Sequence, residues 1–364
     1  MKITLFCLLS NFSFGGAGTS VFRLISNLNQ EDYKIYVISI GKCRYKSLNK
    51  NSNIFFFELK SSGILISFFK IYRILKTYKC NNSKNIFLSN IHYNNIVSIF
   101  LTKLFRDIKI IVVERTPVEE LKIYYNFKDF FKKNIIKFLI FFLYRFSDKI
   151  VANSYGIKKS LVRIANAKVD VVYPPSISKI GRFYKKKKNR ILKIIVISRL
   201  AIEKGVEDII YAINILKKKK IIVNIYGEGD QFLYLKNLIL NLNLSKMIFL
   251  KGYKINLYNE LLNSDLFIST SHFEGCGNAI IESINFNTPV IASDCPGGNR
   301  EILLNGRGGV FYKSKNFYDL KKKISLFLAN RSIFLKKNKL AKKNLDRFIL
   351  KNNICKYDKI FREI

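Results

Sequence analysis

Two glutamates in the C-terminal half of the chain, Glu274 and Glu282, lie eight residues apart and flank a short stretch with two glycines. These glycines, Gly275 and Gly277, let the backbone approach a bound group closely. The residues from 278 onward are predicted to begin a helix, whose unpaired N–H groups and positive end can hold a diphosphate. The pattern suits a ligand that carries both hydroxyls and phosphates. A solvated helix with an incidental acid near each end would show the same spacing.

Two cations, Arg199 and Lys204, follow the predicted strand 191–198 in the spacing R-x4-K-G. Arg can hold a phosphate through a fork of N–H donors and Lys acts as a point charge. Together they can neutralise a leaving diphosphate without a metal ion. In a chain this rich in lysine, two unrelated surface cations are the alternative interpretation.

Two glycine turns follow other predicted strands. Gly227 and Glu228 come after the strand 221–226, and Gly15 and Gly16 come after the first strand. The latter turn lacks the G-x-G-x-x-G spacing of a dinucleotide site, so that class of cofactor is excluded by the motif. An ordinary tight turn would explain the glycines at each of these two places.

Polar residues also follow the predicted strand 86–89, where either Asn90 or His92 is placed to face a ligand. The carboxyl end of a strand is where open α/β sheets bind ligands. A surface histidine is the alternative. Glu114-Arg115-Thr116-Pro117 ends a further predicted strand.

Short runs rich in Ile, Val and Phe alternate with longer periodic segments, which is typical of parallel strands joined by crossover helices. The first series of predicted strands covers residues 2–9, 34–40, 54–59, 86–89, 108–113, 149–152 and 169–172. The second series covers residues 191–198, 221–226, 247–251, 266–269, 289–292 and 309–311. The sequence therefore predicts an α/β protein with two similar halves.

The boundary between the halves is predicted after Pro174-Pro175, because the next residues are basic and show no apolar periodicity. The resulting division has an N-terminal domain at 1–175, a linker at 176–190, a C-terminal domain at 191–340 and a final segment at 341–364. A last helix is predicted over residues 340–362.

The run Ser-His-Phe-Glu-Gly-Cys-Gly-Asn-Ala-Ile-Ile-Glu-Ser at 271–283, followed by Thr288-Pro289, resembles the signature of retaining family-4 glycosyltransferases. The resemblance implies a GT-B fold, in which two Rossmann-like domains face a cleft and the C-terminal helix returns to the first domain. Two positions depart from the pattern. Asn287 stands where most relatives carry Gly, and Cys276 replaces a larger apolar residue, which leaves the donor sugar open.

The resemblance also implies roles for individual residues. Glu274 would contact the donor sugar, Glu282 the ribose, and Arg199 and Lys204 the phosphates, while His92 would lie near the reacting sugar. The residues expected to act in catalysis are Glu274, Arg199, Lys204 and His92. The residues expected to bind the nucleotide-sugar are Gly15, Gly16, Arg199, Lys204, Gly227, Glu228, Glu274, Gly275, Cys276, Gly277, Asn278, Ala279 and Glu282. Neither a metal ion nor a cofactor is expected, since family members act without them.

The implied reaction transfers a hexose or N-acetylhexosamine from a nucleotide donor, expected to be UDP-linked, to a glycan acceptor with retention of configuration. A glycan on a polyprenyl diphosphate is the preferred acceptor, in the assembly of a bacterial surface glycan or glycoprotein. A lipopolysaccharide-core or capsule transferase of the same fold is one alternative. A non-catalytic subunit that binds a sugar nucleotide is another, because binding residues alone would look the same. Same-face attack and a covalent intermediate both remain open.

The formal net charge is +39, from 64 Lys and Arg against 25 Asp and Glu. Such an excess suggests nucleic acid or an anionic membrane. Coding bias is the alternative cause, since Lys, Asn, Ile and Phe are all abundant while Trp is absent. Nucleic acid is disfavoured because lysines are spread along the chain, and the runs at 185–188 and 217–220 are predicted as a linker and a helix end.

The segment 127–145 combines many aromatics with interspersed lysines. It is predicted to lie in a membrane interface or to form a core helix, and one helix can do both. No apolar run reaches the roughly 18–20 residues that span a bilayer. The apolar N-terminus is predicted to be a first strand rather than a signal peptide. Six scattered cysteines without a C-x-x-C pair favour reduced thiols. We expect a cytoplasmic protein, peripheral at the inner face of the cytoplasmic membrane.

Overall fold

The computed structural model describes residues 2–12, 15–48, 51–61, 63–124, 126–183, 190–216 and 220–364. The chain forms two compact units: the residues up to Pro175 together with Leu350–Ile364, and Ser176–Ile349. The lysine run at 185–188, predicted as part of the linker, and most of the run at 217–220 lie outside the described residues.

The first unit contains a parallel sheet in the order β3-β2-β1-β4-β5-β6-β7. Its strands are β1 (Ile3–Leu9), β2 (Tyr33–Ser39), β3 (Ile54–Glu58), β4 (Lys84–Asn90), β5 (Ile108–Glu114), β6 (Lys149–Ala152) and β7 (Asp170–Val171). All seven residues of β1 are buried. A strand that is covered on both faces needs apolar side chains on both, which explains the unbroken apolar run.

Helices cover both faces of this sheet. They are α1 (Gly16–Ile25), α2 (Ile64–Tyr78), α3 (His92–Thr102), α4 (Phe127–Leu143) and α5 (Tyr155–Ala165). Because side chains alternate along β1, Phe6 and Leu8 join one core with buried residues of α2 to α5, whereas Leu5 and Cys7 join a second core with α1.

The second unit repeats the plan with a parallel sheet in the order β10-β9-β8-β11-β12-β13. Its strands are β8 (Leu192–Ile197), β9 (Ile221–Tyr226), β10 (Ile248–Leu250), β11 (Leu266–Ser269), β12 (Val290–Asp294) and β13 (Val310–Lys313). Its helices are α6 (Glu207–Leu216), α7 (Phe232–Asn241), α8 (Tyr258–Asn263), α9 (Asn278–Asn285), α10 (Asn299–Ile302), α11 (Phe317–Ala329) and α12 (Arg331–Lys342). The prediction of two Rossmann-like α/β halves is confirmed.

The last helix, α13 (Leu350–Glu363), belongs to the first unit. Its buried Phe361 packs edge-on against Tyr33, whose hydroxyl donates to Asp358 over 2.7 Å. The helix predicted over 340–362 was wrong at its start. After α12 the chain makes a short turn at Asp346–Phe348, and the extended backbone of Ile349 pairs with Ile177, which a continuous helix would prevent.

None of the helices in the described ranges is both long enough and apolar enough to cross a membrane.

A buried acid in the second unit makes stability depend on pH. Asp208, at the start of α6, accepts a hydrogen bond from Tyr312 over 3.0 Å, and burial raises its pKa to about 6. The folded state therefore binds this proton more tightly than the unfolded state, whose carboxyl titrates near 3.8. Protonation adds stability as the pH falls below about 6, and that gain is lost as the pH rises through 6.

We predict that the variant Asp208→Asn, which lacks this titrating carboxyl, becomes more stable relative to the unaltered protein as the pH rises. The difference in free energy of unfolding should shift in favour of the variant by about 1 kcal/mol between pH 5 and pH 8. Urea titrations at both pH values measure it. Asp230→Asn, which alters an exposed carboxylate, is the control. A pH-independent difference for Asp208→Asn would contradict the prediction.

Candidate active site

The carboxyl edge of the second sheet carries the predicted site. Strand order reverses between β8 and β11, since β9 and β10 extend to one side and β12 and β13 to the other. A ligand crevice forms at such a switch point. Arg199 and Lys204 follow β8, and Glu274 follows β11, so the fold brings the predicted cations and the first predicted acid to the same place.

Glu274 is held through its backbone by a neighbouring glycine turn. Its N–H donates to the carbonyl of Pro296 over 3.0 Å, and its carbonyl accepts from the N–H of Gly298 over 3.0 Å. Gly297 lies between these partners with a φ of +114°, and a Cβ there would stand 1.6 Å from the Glu274 carbonyl oxygen. Only glycine fits, so the position of Glu274 depends on this turn.

The Glu274 carboxylate is bound by Lys204. The Lys204 Nζ donates to Glu274 Oε2 over 2.7 Å, and Ser271 Oγ donates to the same oxygen over 2.9 Å. The lysine side chain is 16% exposed and the glutamate 22% exposed, so the pair is partly shielded but open to a ligand. The predicted donor-binding acid and cation therefore contact each other directly.

The turn that carries Lys204 is held by hydrogen bonds from the loop that follows β11. Thr270 Oγ1 donates to the Lys204 carbonyl over 2.6 Å, and the His272 N–H donates to the Glu203 carbonyl over 2.8 Å. Gly205 has a φ of +54°, and a Cβ there would lie 2.4 Å from His272 Nε2. Burial, with nearby cations, lowers the pKa of His272 to about 4, so its imidazole is neutral at pH 7.

Arg199 lies on the outer side of this turn. Its side chain is 64% exposed and forms an ion pair with Glu203, one helical turn further along the chain. An exposed ion pair of this kind is worth little and can be broken by a competing anion. Glu203 was not predicted as a site residue, although its place within R-x4-K is a signal that sequence reasoning could have used.

Gly227 and Glu228 lie against the same segment. A Cβ on Gly227 would stand 1.8 Å from the Ser198 carbonyl oxygen, and the Leu200 N–H donates to the Glu228 carbonyl over 2.8 Å. The glycine turn therefore packs on the backbone that flanks Arg199. This contact explains the glycine structurally, and it leaves the exposed Glu228 side chain at the edge of the site.

Helix α9 begins beside Glu274. Its N-cap is Gly277, which carries no side chain to occupy the first N–H groups of the helix. Gly275, Cys276 and Gly277 are buried, whereas Asn278, Ala279 and Glu282 are half-buried on α9. Asn278 Oδ1 accepts from Ser176 Oγ over 2.8 Å, and burial raises the pKa of the Cys276 thiol.

Asn287, the departure from glycine before Thr288, has a φ of +57°. Asn tolerates this left-handed conformation better than most residues. Its Oδ1 accepts from the buried Lys342 Nζ over 2.8 Å, and its Nδ2 donates to the Arg182 carbonyl over 3.1 Å. The amide therefore adds two contacts that glycine would lack.

The predicted residues of the first unit do not form one exposed cluster. Gly15 and Gly16 begin α1 and are exposed, at the carboxyl edge of β1. His92 and Asn90, in contrast, are 1% and 0% exposed. Asn90 donates to the Leu8 carbonyl over 3.1 Å and accepts from Arg115 Nε over 2.8 Å.

His92, the first residue of α3, belongs to a buried polar cluster with Asn95, Glu114 and Tyr144. Its Nδ1 lies 3.5 Å from Glu114 Oε2, and Glu114 Oε1 accepts from Asn95 over 2.9 Å and from the Tyr144 hydroxyl. Burial alone would lower the pKa of His92, but Glu114 outweighs it and the pKa is raised. An imidazole held inside the unit in this way argues against direct contact with a sugar.

In the described residues, no group of three or more His, Cys, Asp or Glu side chains is arranged to hold a metal ion. Each of the six cysteines, all of which are described, is a free thiol.

Comparison with known proteins identifies the family. The model "Glycosyltransferase Family 4" matches residues 14–175, and "Glycosyl transferases group 1" matches residues 178–347. Together the two models cover nearly the whole chain. The chain therefore belongs to the GT-B glycosyltransferases that join these two domains.

Three similar proteins, two of them compared by sequence and one by structure, show what the chain resembles. The chain is 24% identical over 325 residues, 83% of each chain, to the N,N'-diacetylbacillosaminyl-diphospho-undecaprenol alpha-1,3-N-acetylgalactosaminyltransferase of Campylobacter jejuni. It is 30% identical over 164 residues to the poly(glycerol-phosphate) alpha-glucosyltransferase of Bacillus subtilis, which is 44% of this chain but only 24% of that protein's length. Anabaena HepE in complex with UDP-glucose has a TM-score of 0.81 at 16% identity, with both chains fully covered. That structural likeness supports the fold.

We predict that Gly297→Ala destabilises the second unit because its Cβ would collide with the Glu274 carbonyl. Gly252→Ala is the matched control, since Gly252 also has a positive φ, of +68°, but open space around its Cβ position. The control should cost about 1 kcal/mol of unfolding free energy and Gly297→Ala at least about 1 kcal/mol more. Denaturant titration measures both. Equal losses would show that the Glu274 loop does not pack as described.

Proposed function

We propose that this protein transfers a hexose or N-acetylhexosamine from a UDP-sugar to a glycan acceptor, with retention of configuration and without a metal ion. The contact between Lys204 and Glu274 at the switch point of the second sheet is the observation that carries this proposal. The Glu274 carboxylate can accept hydrogen bonds from sugar hydroxyls, and the Lys204 ammonium group beside it can bind a phosphate.

The leaving diphosphate would be stabilised by charge and by backbone N–H groups. Lys204 and Arg199 supply positive charge, and the start of α9 at Gly277 supplies N–H donors and the positive end of the helix dipole. Such groups lower the barrier because they are already oriented where negative charge develops. Arg199 gives up only a weak, exposed ion pair with Glu203 in binding the phosphate.

The remaining residues would position the donor. Glu274 accepts hydrogen bonds from the sugar hydroxyls, and we do not assign it as a nucleophile. Glu282, on α9, is proposed to bind the ribose, and Gly227 and Glu228 to lie beside the base. Gly15 and Gly16, at the start of α1, are proposed to bind the nucleotide-sugar. His92 is buried against Glu114, so we do not assign it a contact with the sugar.

A glycan linked to a polyprenyl diphosphate is the proposed acceptor. The Campylobacter relative, whose alignment covers 83% of each chain, is named as acting on a diphospho-undecaprenol-linked sugar. A lipid-linked acceptor is presented at a membrane face, so we propose that the protein works there as a peripheral protein.

We predict that Lys204→Met weakens UDP binding and lowers kcat/KM by on the order of 10²–10³, because the diphosphate loses a prearranged charge. Isothermal titration with UDP needs no acceptor and is measured first. Lys236→Met, on the exposed face of α7, removes the same charge away from the site and is the control. Undiminished UDP affinity and activity in Lys204→Met, with Lys236→Met unchanged as well, would overturn the assignment.

The reaction itself is tested by UDP release. A panel of UDP-glucose, UDP-galactose and their N-acetyl forms is incubated with the protein in EDTA, with and without a membrane lipid extract from the source cells. We expect release from one donor, and only with the extract. UDP binding without release from any donor would favour a non-catalytic subunit, and release that EDTA abolishes would contradict metal independence.

A further inference from the structure

Helix α4 carries most of its phenylalanines on the outside of the first unit, whereas Ile136, Leu139, Ile140 and Leu143 pack in or against the core. Of its seventeen residues, all of them described, only Lys133 and Ile140 are buried. Phe127 is 75% exposed, and Phe130, Phe131, Ile135, Phe138 and Phe141 are also exposed. The interpretation as a core helix holds for the second half of α4, where Ile140 is buried and Ile136, Leu139 and Leu143 pack against the core. The phenylalanines at its start do not reach the core.

The first turns of α2 show the same feature, which the sequence did not single out. Leu65, Ile66 and Phe69 are 75%, 67% and 74% exposed, although α2 buries Ile71 and Leu75 in the core beneath. Both α2 and α4 pack on α3, on the same face of the sheet. Because helices that follow parallel strands begin at the carboxyl edge, both apolar starts lie toward that edge.

We call the exposed side chains of Leu65, Ile66, Phe69, Phe127, Phe130 and Phe131 the aromatic platform. Within it the rings of α4 pack on one another: the Phe127 and Phe131 centroids are 4.7 Å apart, and those of Phe130 and Phe131 5.7 Å. The platform thus consists of two exposed apolar areas on helices that both pack on α3, and areas of this kind mark a surface that meets a partner or a membrane.

The charge on these two helices identifies the partner. All their residues are described, and they contain seven basic residues and one acid, Asp129, which pairs with Lys133 over 2.8 Å. Lys70, Arg73, Lys76, Lys128 and Lys132 are exposed between the apolar side chains. A second copy of this chain would set like charges against each other. A nucleic acid would satisfy the charges but offer no apolar phase for Leu65 and Ile66.

We infer that the aromatic platform docks the first unit on an anionic bilayer surface. The apolar side chains enter the boundary between headgroups and acyl chains, and the flanking Lys and Arg side chains bind lipid phosphates. This inference rests on the proposed function for the peripheral work at a membrane face and adds the surface that makes the contact. It depends on neither the donor nor the acceptor.

Vesicle binding tests the inference directly. The full chain is floated on a density gradient with vesicles of phosphatidylcholine, and with vesicles of equal phosphatidylcholine and phosphatidylglycerol. We expect binding to the mixed vesicles that weakens with salt, as screening requires. The assay contains neither donor nor acceptor, so its failure and a failure of the UDP experiments are separate results.

Two double variants test the platform. Phe127→Ser with Phe131→Ser removes apolar area, and Arg73→Glu with Lys128→Glu reverses charge. Each should lower partitioning by at least about tenfold. All four side chains are exposed, so folding and UDP affinity should be unchanged. Leu233→Ser with Lys236→Glu, on exposed positions of α7 in the second unit, is the matched control and should bind vesicles as the unaltered protein does.

Three results would overturn the inference. One is no binding of the unaltered protein to the mixed vesicles. Another is equal binding by the platform variants and the unaltered protein. The third is sedimentation showing that the unaltered protein self-associates and that the Phe variant does not, because the platform would then be an interface between copies of the chain.

Discussion

The reversal of strand order within each sheet decides where the protein can hold a ligand. At that point the loops after two neighbouring strands diverge to opposite faces and leave a crevice between them. In the second unit the crevice lies between β8 and β11, and in the first unit between β1 and β4. The distant residues Lys204 and Glu274 meet because each follows one strand of such a pair.

The electrostatics of the second-unit site follow from that placement. Each predicted phosphate-binding cation is paired with an acid, Lys204 with Glu274 and Arg199 with Glu203. Glu274 holds Lys204 in place, and each acid offsets the charge of its cation. A simple anion would have to displace Glu274 from Lys204, whereas the exposed pair of Arg199 with Glu203 offers little resistance. A ligand with both phosphates and hydroxyls can instead engage the cation and the acid together, which favours a sugar nucleotide over free phosphate.

The sequence predicted the thirteen strands found among the described residues to within a few residues, because strands buried on both faces leave unbroken apolar runs. It also predicted Lys204 and Glu274 as partners in one site. It did not predict the break between α12 and α13, where the extended backbone of Ile349 pairs with the distant Ile177. The sequence also did not predict that His92 is buried or that the phenylalanines of α4 are exposed. A histidine after a strand can face inward or outward, and a helix with aromatics on every side has no periodicity that reveals its buried face.

The two sets of basic residues differ in how their charge is compensated, and this difference separates their roles. In the second unit, Arg199 and Lys204 are matched by acids and oriented by fixed turns, as selective recognition of one ligand requires. On α2 and α4 the exposed cations stand among apolar side chains, and Asp129 is the one acid on these two helices, with Glu119 and Glu120 on the neighbouring turn that packs on α4. Such an excess of cations attracts an anionic lipid surface. Coding bias raises the numbers of lysines and phenylalanines alike, so their abundance does not decide between the two causes. What favours a bilayer is that exposed basic and exposed apolar side chains occur together on α2 and α4, which pack on the same helix.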